Sequence, residues 1–265
     1  MVDYQELVDL MKGKDSVLVA FSGGVDSTLV ALAAGEALGD RCSLVMFRNE
    51  TIPRFEVSEA ESVAAELDME LNVIDDPVLE VPGIADNPVD RCGVCKDHLM
   101  SRLLDMAGSG GLEVVADGAN ADDVDDFRPG LEASDRLGIW HPLMEAGIGK
   151  ADARRILKEK GISIHDKPST TCLMTRIPYG ERVTSEKLRV IESVEREVRK
   201  LGFSEIRLRL FERRGGGYIG ILELDDPGAA LGQWDLIEGL SEDVRIVLDP
   251  AGYRQGSLNA GSVPP

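Results

Sequence analysis

An apolar run, Val17-Leu18-Val19-Ala20-Phe21, is followed at once by Ser22-Gly23-Gly24-Val25-Asp26-Ser27-Thr28 and then by a helix-compatible stretch over 29–38. A strand that feeds a glycine pair and then a helix has few ways to fold. Adjacent glycines allow conformations and close approaches that side chains forbid. The helix that follows turns unpaired N–H groups and the positive end of its dipole towards the loop. Ser22, Ser27 and Thr28 add hydroxyl donors, and Asp26 is a carboxylate suited to hold magnesium against a phosphate. No lysine follows the glycines, so the loop differs from the Walker type that serves γ-phosphate transfer. It reads as a grip for pyrophosphate, with a plain glycine-rich turn before a helix as the simpler alternative.

Beyond this loop the pattern predicts strands over 17–21, 43–47, 70–74 and 113–116, with helices over 29–38, 57–67, 95–106 and 150–160. Such alternation implies an α/β fold: a mainly parallel sheet with helices on both faces, its ligands beyond the carboxyl ends of the strands. The alternation breaks over 162–180. Thr184 then caps a predicted helix whose Leu188, Ile191, Val194, Val198 and Leu201 share one apolar face. Strands over 205–211 and 218–224 flank a glycine-rich hairpin at 213–217, and a helix over 227–240 and a strand over 244–248 complete a small C-terminal α+β domain. The expected division is therefore residues 1–165, a linker loop over 166–183, and residues 184–265, with a frayed tail after Gly256.

With 48 acidic against 29 basic residues the chain carries a formal net charge of −19, which argues against a broad nucleic-acid surface. The charge is uneven: residues 171–215 hold eleven Lys and Arg against seven Asp and Glu, a surplus fit for a small phosphorylated ligand or for a solvated helix face. Within that segment Arg207 and Arg209 alternate on a predicted strand, so their forked guanidiniums share a face and suit a phosphate, unless they are simply exposed strand arginines. No apolar run approaches the roughly 20 residues that span a bilayer, and no signal-peptide pattern opens the chain, so a cytoplasmic location is expected.

The four cysteines are not equivalent. Cys42 abuts a predicted strand and reads as a small core residue. Cys92 and Cys95 form a CxxC for which a redox pair, metal ligands and a buried accident all stay open, and Cys172 stands alone in the irregular stretch. The three histidines, His98, His141 and His165, lack zinc-finger spacing.

The Ser22 to Ser27 loop resembles that of the PP-loop ATP pyrophosphatases, the adenine nucleotide alpha hydrolase-like fold. Further segments narrow the likeness: 87–96 (NPVDRCGVCK), 117–123 (DGANADD), 128–130 (RPG), 167–169 (KPS), 172–180 (CLMTRIPYG) and 252–259 (GYRQGSLN). Together they resemble the LarE-type pyridinium-3,5-biscarboxylic acid mononucleotide sulfurtransferases, which help to build the nickel-pincer nucleotide cofactor of lactate racemase.

This resemblance implies an ATP-dependent, cytoplasmic sulfurtransferase that works on a mononucleotide with ATP and a sulfide source, as a hexamer or trimer. ATP would meet Ala20, Phe21, Ser22, Gly23, Gly24, Asp26, Ser27, Thr28, Met46, Gly118 and Arg128, with Asp26 on magnesium. The acids Asp117, Asp122 and Asp123 are further candidates for ATP or magnesium. Arg207, Arg209 and Arg254 would take the substrate phosphate, and Cys172, Asp26, Arg176 and Glu195 would act in catalysis. One version of the family has a single cysteine at the Cys172 position and surrenders its sulfur. Cys92 and Cys95 set this chain apart and liken it to the version that holds a [4Fe-4S] cluster by three thiolates, leaving the fourth iron open. Rival readings are a tRNA thiolation enzyme, for which the chain lacks a basic platform, an amide-forming adenylating enzyme, and a nucleotide-sensing module with zinc on the CxxC.

Overall fold

The structure, a computed structural model, describes residues 4–123 and 129–254. Arg128, the last part of the 252–259 motif and the tail lie outside the described residues. The chain forms two compact units: one takes the chain up to Val78 together with Asp90–Thr170, the other Leu79–Val89 and the chain from Thr171 onward.

The first unit runs α1 (Tyr4–Lys12), β1 (Val17–Ala20), α2 (Val25–Leu38), β2 (Cys42–Arg48), α3 (Arg54–Glu66), β3 (Leu71–Asp75), α4 (Arg91–Gly110), β4 (Val114–Ala116), α5 (Pro129–Leu137), α6 (Pro142–Glu145) and α7 (Lys150–Glu159). Its four strands are all parallel, in the order β3-β2-β1-β4, the arrangement that the alternation predicts. Side chains of a strand alternate between faces, and here both faces are apolar. Val17, Val19, Leu44 and Met46 pack with α1, α2, α3 and α7 on one side, through residues such as Leu7, Leu29, Ala60 and Ile156. Leu18, Val45, Phe47 and Val115 pack on Met100, Leu103 and Ala107 of α4 on the other. A sheet with both faces covered leaves only its strand ends for ligands. Cys42 begins β2 half-buried against this core, where burial pushes its thiol pKa up to about 12. No helix among the described residues is long and apolar enough to cross a membrane.

The second unit contains α8 (Ser185–Lys200), β5 (Ile206–Glu212), β6 (Tyr218–Leu224), α9 (Pro227–Leu231), α10 (Trp234–Glu238) and β7 (Val244–Leu248). Thr184 caps α8 by accepting from the Lys187 N–H, and Leu188, Ile191, Val194 and Val198 are buried. The β5–β6 hairpin is antiparallel and β7 joins β6 in parallel. The helix expected over 227–240 is two short helices, because Gly232 closes the first and the chain restarts at Trp234. The stretch 162–180 holds two 3-10 turns, Ser163–Asp166 in the first unit and Leu173–Arg176 in the second.

Residues 79–89 join this unit through backbone bonds from Gly180 N to Asn87 O (2.9 Å) and Val183 N to Ala85 O (2.8 Å). The fully buried Asn87 adds bonds from its amide to the carbonyls of Ile177 (3.2 Å) and Pro178 (2.7 Å), at a φ of 54° that asparagine tolerates better than most residues. Asn87→Ala leaves two carbonyls short of a donor and is expected to destabilise the protein by about 2–4 kcal/mol. Urea denaturation followed on the purified chain checks this.

Candidate active site

The carboxyl ends of β1 and β4 open into a cleft of about 520 Å³. Ala20, Ser22, Gly24, Asp26 and Ser27 line it from the glycine loop, Asp117, Gly118, Ala119 and Asp123 from the segment after β4, Cys92 and Lys96 from α4, and Gly130 and Leu131 from α5.

Steric limits set the loop's shape. Gly23 sits at φ 66°, and a Cβ there would lie 2.6 Å from Ala60 Cβ. A Cβ on Gly118 would lie 2.8 Å from Ser27 N, so only glycine lets the segment after β4 close over the start of α2. Inside the loop the Ser22 and Ser27 hydroxyls are 3.0 Å apart, and Ser27 Oγ donates to Gly24 O at 3.2 Å. No side chain caps α2, so its first N–H groups are left for an anion.

The acids that line the cleft, Asp26, Asp117 and Asp123, and the neighbouring Asp122 separate by their partners. Asp122 Oδ2 accepts the Lys150 N–H at 2.7 Å and caps α7. Asp117 is buried between Lys96 Nζ (2.9 Å) and His141 Nδ1 (2.6 Å). Burial pushes its pKa up, but His141 and Lys96 more than offset that and hold the carboxyl below the usual range. His141 also faces Asp135 at 3.1 Å; burial lowers its pKa, yet Asp117 and Asp135 together raise it above the ordinary histidine value. Asp26 differs from both. Its Oδ1 is buried without a hydrogen bond of its own, and its pKa is raised, first by burial and then by the charge of Asp123, against the smaller pull of Asn120, Lys150 and Arg154. A half-buried and a buried carboxylate that repel each other at an anion-binding loop suit a divalent cation, which phosphate oxygens would complete.

Of the residues expected at ATP, Ala20, Ser22, Gly24, Asp26, Ser27 and Gly118 share the cleft. Gly23 turns the loop from behind, Phe21 and Thr28 are buried beside it, and Met46, on β2, points into the core. Cys92 lies in the first turn of α4 and lines the cleft, and Cys95 follows one turn on. Lys96 and His141 were not legible as site residues, although Lys96 stands one helical turn beyond Cys92 and so shares its face. Among the described residues no group of three or more His, Cys, Asp or Glu stands ready as a metal-ion site.

The second unit holds the other candidates. Cys172, half-buried, leads the 3-10 turn Leu173–Arg176. Arg176 is about as buried as a side chain can be, at 1% exposure, and all three of its guanidinium nitrogens donate hydrogen bonds. It meets Glu195 with two bonds (2.9 and 3.0 Å) and donates to Thr171 O (2.9 Å), Cys172 O (3.1 Å) and the hydroxyls of Thr171 and Thr175. Glu195 also accepts the Leu208 N–H at 2.9 Å, which ties the Cys172 loop to β5. This is the geometry of positioning.

Arg207 and Arg209 are buried, so the simpler expectation of exposed strand arginines does not hold. Arg209 is committed to Glu223 (2.9 Å) and Thr175 O (2.8 Å). Arg207 donates to Ile206 O and lies over the Tyr253 ring at 4.9 Å; burial and the nearby Arg176 lower its pKa, a strain that a bound anion would relieve. Arg254 is exposed, 3.6 Å from Asp249.

Because His141 has a raised pKa in the folded state, its stabilising contribution is complete below about pH 6.5 and is lost as pH rises through the folded value. His141→Asn should therefore destabilise the chain more at pH 6 than at pH 9, measured by thermal melting across that range. The depressed Asp117 works in the opposite sense: its contribution is present above about pH 4 and is lost as pH falls through its folded value.

The NAD synthase family model matches residues 5–82, which include the glycine loop. An uncharacterised protein of Synechocystis sp. is 32% identical over 254 residues, covering 92% of each chain. The pyridinium-3,5-bisthiocarboxylic acid mononucleotide synthase of Lactiplantibacillus plantarum is 31% identical over 261 residues, covering 96% of this chain and 92% of that one. An uncharacterised protein of Methanocaldococcus jannaschii is 30% identical over 210 residues, covering 79% and 78%. With an ATP-pyrophosphatase loop at the head of its parallel sheet and this likeness along nearly its whole length, the chain belongs to the LarE-type family of ATP-dependent sulfurtransferases.

Proposed function

We propose that this chain adenylates a ring carboxylate of pyridinium-3,5-biscarboxylic acid mononucleotide and replaces one of its oxygens by sulfur, in nickel-pincer nucleotide biosynthesis. The observation that carries the reading is that Cys92 shares one cleft with Ser22, Gly24, Asp26 and Ser27. An anion grip for ATP and a sulfur-handling residue then serve one reaction. The relative of matching length is named for the dithio product of such chemistry.

A carboxylate resists sulfide because oxide is a poor leaving group, so activation comes first. The substrate carboxylate oxygen attacks the α-phosphorus of ATP, the bond to the bridging oxygen breaks, and pyrophosphate leaves with that electron pair. The loop N–H groups and the Ser22 and Ser27 hydroxyls steady its growing charge. Asp26 and Asp123 fit magnesium, which would neutralise the same leaving group. A sulfur nucleophile then adds to the acyl carbon, AMP departs, and a thiocarboxylate remains; a second round on the other carboxylate completes the product.

On this reading Cys92, Cys95 and Cys172 would be the three thiolates of a [4Fe-4S] cluster, as in the three-cysteine version of the family, and its open iron would supply replaceable sulfide. The CxxC pair stands one turn apart at the start of α4, and none of the three is in a disulfide. Arg176 and Glu195 set the backbone that presents Cys172, and Arg207 offers the guanidinium for the substrate phosphate. An amide-forming enzyme would have no use for a cysteine facing the ATP loop.

Anaerobic purification should yield about four irons and four acid-labile sulfides per chain with a brown chromophore, and Cys172→Ala should lose the visible absorption. A colourless chain after reconstitution sinks the cluster and leaves Cys172 as a sacrificial donor. Asp26→Asn keeps the shape and removes the charge; it should lower substrate-dependent AMP formation about 100-fold or more. Undiminished turnover would remove Asp26 from the metal site.

A further inference from the structure

Lys167 was legible only as part of the KPS motif, with no role attached, and the structure gives it an unusual setting. Its side chain is mostly buried, and its ammonium meets Glu56 Oε2 at 2.6 Å and Glu59 Oε2 at 2.9 Å, both on α3. The same nitrogen lies 3.4 Å from the carbonyl oxygen of Gly23, in the middle of the phosphate loop. The backbone beneath it is fixed in turn, because Arg154 of α7 donates to His165 O (2.8 Å) and Lys167 O (2.7 Å). All of these residues belong to the first unit.

The Gly23 carbonyl and the Gly24 N–H belong to one peptide group. In a planar trans peptide they point in opposite directions, so whatever holds the carbonyl also aims the N–H. Gly24 lines the cleft, and its N–H has only a long contact of 3.4 Å to Ser22 Oγ, which leaves it open to a stronger acceptor. A glycine pair resists peptide rotation poorly, since neither residue has a side chain to restrict it. Packing cannot supply the missing restraint alone: Ala60 blocks Gly23 on one side, but nothing covalent fixes the carbonyl. Glu56 has its second oxygen, Oε1, buried without a hydrogen bond, so the Glu56–Lys167 pair is not arranged simply to satisfy both partners. Such an unsatisfied buried group is tolerated where position matters more than stability.

We propose that Lys167 is a positioning residue of the phosphate loop: anchored on Glu56 and Glu59, its ammonium holds the Gly23 carbonyl and keeps the Gly24 N–H aimed at bound pyrophosphate. The inference rests on the reading of the cleft as the ATP site. It assigns α3, which lines no part of the cleft, a share in binding, and it gives a role to a lysine that faces two glutamates behind a loop with no lysine of its own.

The test is calorimetric titration of the full-length chain with magnesium pyrophosphate, magnesium ATP and AMP. Lys167→Met should raise the Kd for pyrophosphate and ATP about tenfold or more, the scale of a lost charge-assisted hydrogen bond, while AMP shifts by less than about threefold. Lys167→Arg, which keeps the charge and the reach, should recover part of the loss. Loss of affinity for all three ligands alike would mark general damage to the cleft and overturn the proposal. So would Lys167→Met binding pyrophosphate as the wild type does, whatever its melting temperature. If that variant does not fold, Lys167→Gln, close to it in size and polar, is read in the same way. A wild-type chain that binds neither ATP nor pyrophosphate overturns the ATP-site reading itself, which separates the two failures.

Discussion

The site depends on how closely backbone can approach backbone at the head of β1. Phe21 N still bonds Val45 O at 2.8 Å, so the sheet ladder runs one residue beyond the strand and fixes where the loop departs. Gly23 then turns against Ala60 and Gly118 folds over Ser27, each with no room for a methyl group. These two contacts bring α3 and the segment after β4 onto the start of α2. Displace either by the radius of a side chain and the Ser22–Ser27 contact, the exposed helix terminus and the Asp26–Asp123 proximity are lost together. The parallel sheet, apolar on both faces, supplies the rigid base that makes such tolerances possible.

A chain with a net charge of −19 has to bind a tetra-anion locally, because its long-range field opposes the ligand. The first unit answers with cations that are already paired: Lys96 on Asp117 in the cleft wall, and around it Lys150 near Asp123 and Lys167 on Glu56 and Glu59 behind the loop. A paired lysine is held in one place and has already lost part of its hydration, so less remains to be given up when an anion arrives. A small ligand that reaches into the cleft meets these local contacts directly. At physiological ionic strength the repulsion fades beyond about 8 Å, whereas the contacts inside the cleft are screened far less.

The sheet, the loop and the hairpin were legible because they rest on local signals: short continuous apolar runs, a glycine pair between strand and helix, and glycines at 215–217 with positive φ. Helix α1 was missed because its apolar residues, Leu7, Val8 and Met11, make a short stripe that means little until α2 and α6 are there to cover it. Residues 79–89 carry no composition signal, and their attachment rests on hydrogen bonds from Asn87 to residues about 90 positions away. The same limit applied within the site. Asp117, Asp122 and Asp123 look alike in sequence, and only their partners separate a carboxylate held by His141 and Lys96, a cap for α7, and a neighbour of Asp26. Alternation placed Arg207 and Arg209 on one face correctly, but whether each faced a carboxylate was a matter of the opposite strand, where Glu223 engages Arg209.

The Arg176–Glu195 pair shows what burial of charge achieves here. Taking both ions out of water costs several kcal/mol apiece, and a well-packed apolar pair of equal volume would often be at least as stable. An apolar pair, however, would strand Thr171 O, Cys172 O and the Leu208 N–H, all of which now end on the ion pair. Five donors in a planar fork can meet a carboxylate and a ring of loop acceptors at once, which lysine's single ammonium cannot do with the same geometry. The charge therefore fixes the shape of a short loop that has too few side chains to pack itself. What that loop carries is Cys172, and a backbone held by a guanidinium fixes the place from which its thiol extends. The sulfur chemistry proposed for the chain requires that constraint whether the thiol binds iron or is itself consumed.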